Sequence, residues 1–314
     1  MSAVGLHKLN GDTSWLFRLP TSSHPANPAN SHFCNLVIDP WLDPTPQVDG
    51  SPLFSRQTRI EPSAFASLAK LDAWLHTQSS GKERIDAVLF SHPFTDHLHP
   101  ETITDQESLA VLRRATIFTT NDSLAALRSI KVNLGAKVVN LSSIAVRQDP
   151  ATSVLPHGIT IDHLPAKDWA VSPAWSKLHG GILVSCSTTI PTQILYSPHG
   201  ITPTSLPPHL TSQDDSVKRV LIHSFDRQTL PLIGTVACGF PNILHLIPVF
   251  NPHIVLATHD EHKQGEGIVG RLLSRQVFSL ETAHQMISEM HADGAMQREC
   301  VVKQLTPGES IRIT

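Results

Sequence analysis

The sequence predicts a layered α/β fold, and three observations predict it. Short apolar runs bounded by Pro, Gly and Asn alternate with stretches whose apolar residues recur every three or four positions, the patterns of buried strands and one-faced helices. No self-similar period of solenoid length runs through the chain. A polar loop dense in His and Asp directly follows one buried run, and functional side chains concentrate on loops of that kind.

Taken in order, residues 13–19 are β-branched and aromatic enough for a strand, and the Pro/Ser/Asn/His-rich stretch 20–31 cannot continue it. Asn35-Leu-Val-Ile-Asp39 is a buried strand stopped by Pro40, and the proline-rich stretch 43–62 is an irregular insertion. Phe65, Leu68, Leu71 and Leu75 put one apolar stripe on a helix over 63–79, with Ser63 available as its cap. Ala87-Val-Leu-Phe90 is a strand, followed by the His/Asp loop 91–100, a helix at 101–113, a strand at 116–119, a helix opened by Asn121 or Asp122, and a strand at 136–141. Shorter strands follow at 159–164, 182–186, 193–196 and 219–223. A helix at 239–250, a strand at 253–257 and a helix at 279–290, with Leu280, Ala283, Ile287 and Met290 inward, complete the layers.

Composition narrows the partners. The 314 residues are 40% hydrophobic and 16% charged with a formal net charge of -3, and no segment clusters Lys and Arg. Nucleic acid and anionic membranes therefore find no electrostatic footprint, and a small molecule suits the chain better. The first residues lack the pattern of a leader peptide and no run approaches ~18 apolar residues, so a cytoplasmic location is the expectation. Cys34, Cys186, Cys238 and Cys300 are far apart and are expected to be buried free thiols. The 19 histidines, many beside turn residues and acids, invite a metal or acid-base reading.

The densest constellation is Ser91-His-Pro-Phe-Thr-Asp-His-Leu-His99. Imidazole nitrogens and a carboxylate oxygen this close together can converge on a divalent cation. The same residue types also serve as turn formers and helix caps, and in isolation the two readings weigh equally. Elsewhere, Gly265-Glu-Gly267-Ile-Val-Gly270 spells a dinucleotide fingerprint but does not lead out of a strand, and reads as a turn before a helix. His223-Ser-Phe-Asp226 reads as a strand end, and His163 and His245 as core or rim histidines. Trp41, Trp169, Trp175 and Phe94 are candidates for apolar pocket walls.

In its surroundings the loop resembles the metallo-β-lactamase superfamily, in particular the branch whose second strand ends in Ile-Asp-Pro-Trp-Leu, present here as Ile38-Asp-Pro-Trp-Leu42. The superfamily's His-x-His-x-Asp-His is matched by His92-Pro-Phe94-Thr-Asp96-His97, with Phe94 in place of the second histidine. Pro165-Ala-Lys-Asp168 stands where a ligand histidine follows Pro-Ala, and His199-Gly stands where a bridging aspartate precedes glycine. The last ligand histidine is matched by His259 in Thr-His259-Asp-Glu-His262. These landmarks keep the superfamily's order from about residue 13 to 262.

The resemblance implies a four-layer αββα sandwich over residues 1–314, as a single domain with irregular insertions near 20–33 and 43–62. It further implies that the metal position of His92, Phe94 and Asp168 is lost. The other position keeps Asp96, His97 and His259 and gains His199 as fourth ligand or proton carrier, for one divalent metal: zinc first, iron or manganese as alternatives, or no metal at all. The activity it implies is hydrolysis of a small ester, lactone or thioester-type substrate in specialised metabolism, with Asp168 or His92 orienting water. The alternatives are a metal-independent lyase, isomerase or cyclase using the His/Asp pocket for acid-base work, and a non-catalytic small-molecule binding protein. The inward or outward aim of His99 and His262 stays open.

Overall fold

The apolar runs of the sequence pack into two sheets that face one another, each backed by helices. A computed structural model describes residues 3–21, 33–135, 137–142, 154–167, 175–187, 190–210, 214–294, 296 and 298–314. The first part of the chain supplies β1 (Val4–Lys8), β2 (Trp15–Pro20), β3 (Phe33–Ile38), β4 (Gln47–Asp49) and β5 (Ser55–Thr58). Helix α1 (Leu68–Gln78), β6 (Ala87–Phe90), α2 (Pro100–Thr104), α3 (Gln106–Arg114), β7 (Thr116–Thr119), α4 (Asn121–Ser129) and β8 (Val138–Asn140) follow. Next come β9 (Ile159–Pro165), α5 (Trp175–Leu178), β10 (Gly180–Cys186), β11 (Thr192–Ser197), β12 (Lys218–His223), β13 (Arg227–Leu230) and β14 (Gly234–Ala237). The chain closes with α6 (Phe240–Phe250), β15 (Ile254–Ala257), β16 (Gln264–Glu266), α7 (Gly267–Leu272), β17 (Ser274–Gln276), α8 (Leu280–Ala292), β18 (Val301–Lys303) and β19 (Ser310–Ile313).

The first sheet has the strand order β19-β1-β2-β3-β6-β7-β8, and the second β18-β15-β12-β11-β10-β9. Strands β3, β6, β7 and β8 run parallel, as do β11, β12, β15 and β18. Between the sheets lies an apolar core that includes Trp15, Phe17, Leu36, Leu89, Ile194, Tyr196 and Leu256. Leu71, Leu75, Leu109 and Leu112 of α1 and α3 pack on the outer face of the first sheet, and Ile243, Leu246 and Ile287 of α6 and α8 on that of the second. Each such buried aliphatic side chain contributes about 1.5–3 kcal/mol over its exposed state. The layer order is therefore αββα, as expected.

Several local expectations need correction. Helix α1 starts five residues later than the stripe suggests, capped by Ser67 rather than Ser63, because the Ser67 side chain accepts from the Lys70 backbone N–H. The helix expected over 101–113 is two, because Asp105 leaves the helical conformation and caps α3 by accepting from Ser108 N–H. The stretch 43–62 is not wholly irregular: β4 and β5 form a hairpin that pairs with β16. Strands β1 and β19 were not foreseen, and Val4 pairs with Ile313 across the length of the chain. Gly265 and Glu266 lie in β16 and Gly267 opens α7 directly, so the glycine-rich stretch does lead out of a strand and is not a turn; the strand is a short edge strand paired with β5. His245 is exposed on α6, neither core nor rim. Cys34, Cys186 and Cys300 are buried and in no disulfide, whereas Cys238 is only partly covered. Among the described residues no helix is long and apolar enough to cross a membrane.

Candidate metal centre

Parallel strands deliver their C-terminal ends to one edge of the sandwich, and the site is assembled there. Asp39 follows β3, the loop 91–99 follows β6, His199 follows β11 and His259 follows β15. Among the described residues two ligand-capable triads result, Asp96/His97/His259 and His92/His97/His199, each with its ligand atoms within 4.8 Å of one another. All five residues of these triads are buried, and the triads share His97. The structure places Asp96, His97 and His259 in one triad, and His199 in the other with His97 and with His92, the residue expected to orient water. Asp168, Trp169 and the side chain of Trp175 lie outside the described residues.

The imidazoles are held from behind. His97 Nδ1–H donates to Asp39 Oδ2 at 2.7 Å, which leaves Nε2 facing inward, 2.9 Å from His199 Nε2. His199 Nδ1–H donates to the Val236 carbonyl at 3.1 Å. His259 Nε2 lies 3.1 Å from Asp96 Oδ2, while its Nδ1 is 3.8 Å from Asp12 Oδ1. Both of those last two atoms are buried without a hydrogen-bond partner among the described residues. Asp39 also accepts from Ser91 N–H at 2.7 Å, from the Ser91 hydroxyl, and from the Tyr196 hydroxyl at 2.8 Å. Since the Ser91 hydroxyl hydrogen goes to Asp39, His92 Nδ1–H donates to Ser91 Oγ at 2.6 Å and His92 Nε2 keeps its lone pair.

Backbone strain sits at the same places. Asp39 and His259 are non-glycine residues at φ 45 and φ 60, a region that is uncommon for residues bearing a Cβ and collects at functional sites. Gly200, at φ 113, lets the chain turn directly behind His199: a Cβ there would come within 2.7 Å of Cys238 Cβ and 2.8 Å of its Sγ.

Electrostatics divides the histidines. Burial holds His92 and His199 well below the ordinary imidazole value, so both are neutral, each further disfavoured by its imidazole neighbours. Burial also opposes charge on His97, but the Asp96 and Asp39 carboxylates outweigh it and raise its pKa. Asp96 is held well below its ordinary range: burial opposes ionisation, and His97, His259 and Lys263 overcome it. Lys263, buried between Asp12 Oδ2 at 2.9 Å and Asp96 Oδ2 at 3.6 Å, is raised because those carboxylates outweigh its desolvation.

Three imidazoles and one carboxylate are a donor set that suits zinc, and also iron or manganese. Nitrogen ligands about 2.0–2.1 Å from a tetrahedral ion lie roughly 3.3 Å apart, so the 2.9 Å between His97 and His199 requires a small adjustment. Nδ1 atoms anchored on Asp39 and Val236 O, and one facing Asp12, are the supports that ligating imidazoles use. The residues fit a divalent ion.

Other candidates fall outside. His99 caps α2, lies 3.2 Å from Glu101 Oε2 and stacks on Trp41, so it turns away from the centre. His262 is exposed and meets Arg275. Trp41 is fully buried and forms core rather than an open pocket wall, whereas the half-buried Phe94 ring lies 6.4 Å from that of His199. His223 ends β12 and bonds to Asn242, as a strand-end residue should. His163 is a rim residue: with His92, Thr120 and His179 it lines a cavity of about 30 Å³ beside the centre. Sequence reasoning missed Asp12, Tyr196 and Lys263 altogether, and quoted Asp39 only as part of a motif.

No family model matches the chain, and neither does any curated protein. Solved structures do. An isothiocyanate hydrolase from Delia radicum gut bacteria superposes with a TM-score of 0.55 at 14% identity, covering 98% of each chain. The metallo-beta-lactamase fold protein YhfI from Bacillus subtilis gives a TM-score of 0.52 at 11% identity, over 99% of this chain and 100% of its own. A variant of the CmlA beta-hydroxylase also gives 0.52, at 14% identity, over 100% of this chain and 54% of its own. The chain therefore has the metallo-β-lactamase fold.

Proposed function

We propose that the chain is a metal-dependent hydrolase that uses one divalent ion, zinc first, on a small ester, lactone or thioester-type substrate. The observation that carries this reading is the buried triad Asp96/His97/His259, which His199 adjoins through its 2.9 Å contact with His97 and could complete as a fourth donor. A divalent ion held by these four residues supplies Lewis acidity, which acidifies water and polarises an acyl carbonyl. Asp39 fixes the ring of His97, and the Val236 carbonyl fixes that of His199. His92, neutral and with its Nε2 lone pair unused by Ser91, is the group able to accept a proton from water. The adjacent cavity has room for about two waters. Phe94 offers an apolar surface against which a hydrophobic acyl group can lie. A small molecule as partner fits a chain with no cluster of Lys and Arg.

One observation favours a second reading, acid-base catalysis without a metal by a lyase, isomerase or cyclase. His97 and His199 stand at proton-sharing distance, with a raised and a lowered pKa respectively, the pairing that divides acid and base roles. The fold leaves the reaction open, since one of its structural relatives is a beta-hydroxylase. Metal content per chain, measured by mass spectrometry on untagged protein beside His97→Ala, decides between the two. One tightly bound ion, lost in the variant and accompanied by turnover in an acyl-substrate panel, supports the hydrolase. No ion even after zinc, iron and manganese are offered sinks it in favour of the metal-free reading, and an absence of turnover on every panel would leave a binding protein.

A further inference from the structure

We propose that Lys263 is a built-in counter-cation of the centre: its ammonium competes with an incoming divalent ion for the charge of Asp12 and Asp96 and so sets how tightly that ion is held. The inference rests on the metal-dependent reading above.

Lys263 follows His259 by four residues on the same loop, and its side chain is only 9% exposed. It reaches Asp12 Oδ2 at 2.9 Å and Asp96 Oδ2 at 3.6 Å, and its ammonium lies 5.6 Å from the centre of the Trp41 ring. Asp96 Oδ2 is the same oxygen that meets His259 Nε2 at 3.1 Å, and Asp12 Oδ1 faces His259 Nδ1 at 3.8 Å. The four residues close a ring: Lys263 to Asp12, Asp12 to His259, His259 to Asp96, and Asp96 back to Lys263. A cation inside that ring lies within a few ångströms of any ion that Asp96 and His259 share.

Charge balance gives the ammonium its role. With the imidazoles neutral, as an ion requires, Asp12, Asp39 and Asp96 carry three negative charges against the positive charge of Lys263, the ammonium in contact with the Asp12 and Asp96 carboxylates, while Lys8 and Glu261 beside Asp12 add one charge of each sign; the net charge of minus two is one that a single divalent ion cancels. When no ion is bound, Lys263 keeps Asp12 and Asp96 from facing each other unpaired in a buried setting, a costly arrangement. When the ion arrives, the same ammonium repels it. Removing the charge while keeping the stem should therefore tighten ion binding and weaken the ion-free protein.

The test uses the full chain and zinc alone. Zinc affinity is measured by competition with a chromophoric chelator, and thermal unfolding with and without zinc, for wild type, Lys263→Met, Lys263→Arg and the double variant Asp12→Asn/Lys263→Met. The expected result is zinc binding at least tenfold tighter in Lys263→Met together with a lower melting temperature without zinc. Lys263→Arg should stay close to wild type, and the double variant, which also loses the Asp12 carboxylate facing His259, should bind zinc less tightly than Lys263→Met but more tightly than Asp12→Asn alone. Should Lys263→Met fail to fold alone, the double variant against Asp12→Asn alone reads the same quantity, because adding Lys263→Met should then tighten zinc binding. Wild-type zinc binding with unchanged or weaker binding on removal of the Lys263 charge overturns the counter-cation proposal and leaves the metal-dependent reading standing. Zinc binding by Lys263→Met but not by wild type supports the counter-cation and sinks the metal-dependent reading, and binding by neither overturns both.

Discussion

The inward Nε2 atoms of His97 and His199 stand 2.9 Å apart, close enough to share one proton. His97 carries it, because Asp96 and Asp39 overcome the cost of burial and raise its pKa, whereas burial and neighbouring imidazoles keep His199 neutral.

That proton must leave when an ion binds. His97 is protonated below its raised pKa, so zinc uptake near pH 6.5 should release about one proton from it, and apparent affinity should fall about tenfold per pH unit lower. Calorimetry in two buffers of different ionisation enthalpy checks this. In the ion-free protein the sign is the opposite: a raised histidine pKa contributes stability that is complete below about 6.5 and is lost as pH rises through the folded value. Urea midpoints of wild type and His97→Gln should converge above that value.

Ligand substitutions should separate cleanly from their neighbours. Asp96→Ala, His97→Ala and His259→Ala each remove a member of one triad and should each weaken zinc binding by at least about 100-fold. His92→Ala should retain the ion and lower only turnover. Equal zinc loss in all four would place the ion in the other triad as well.

Asp39→Asn tests the support behind the ligands. Asparagine tolerates the left-handed backbone of this position, φ 45, but its amide cannot accept from Ser91, His97 and Tyr196 together. Zinc affinity should fall about 10- to 100-fold while the circular dichroism spectrum is kept.

Gly200→Ala should be among the most damaging changes outside the ligands. Its Cβ would meet Cys238 Cβ at 2.7 Å and Asn242 Oδ1 at 3.0 Å, at a φ of 113 that a Cβ disfavours. We expect a loss of at least about 2 kcal/mol in urea unfolding, and Cys238→Gly in the same chain should restore part of it.

What the sequence shows of this molecule depends on how locally each feature is encoded. Ala87-Val-Leu-Phe90, the Leu68/Leu71/Leu75 stripe and the Ala283/Ile287 face are legible because strand and helix periods are short-range. The break at Asp105 is hidden, since an aspartate within a helical pattern looks like any exposed polar residue until its side chain is seen capping Ser108. His92, Asp96 and His97 stand out by their density on one loop, while His199 and His259 emerge only through the resemblance. Lys263 and Asp12 lie 251 residues apart with no motif linking them. Their pairing is a product of the two sheets meeting, and no window on the sequence contains it.

The support of His199 carries an evolutionary consequence. Its anchor is the main-chain oxygen of Val236, on a hairpin whose pairing already shifts between Gln228 and Thr229. Point substitution at position 236 cannot delete a carbonyl, so a mutational scan would score that position as indifferent. A one-residue insertion or deletion in the hairpin would instead turn the opposite edge of the strand toward His199. In descendants of this chain the centre is thus exposed to changes of length more than to changes of letter, and loop grafting between relatives would alter metal chemistry without touching a ligand.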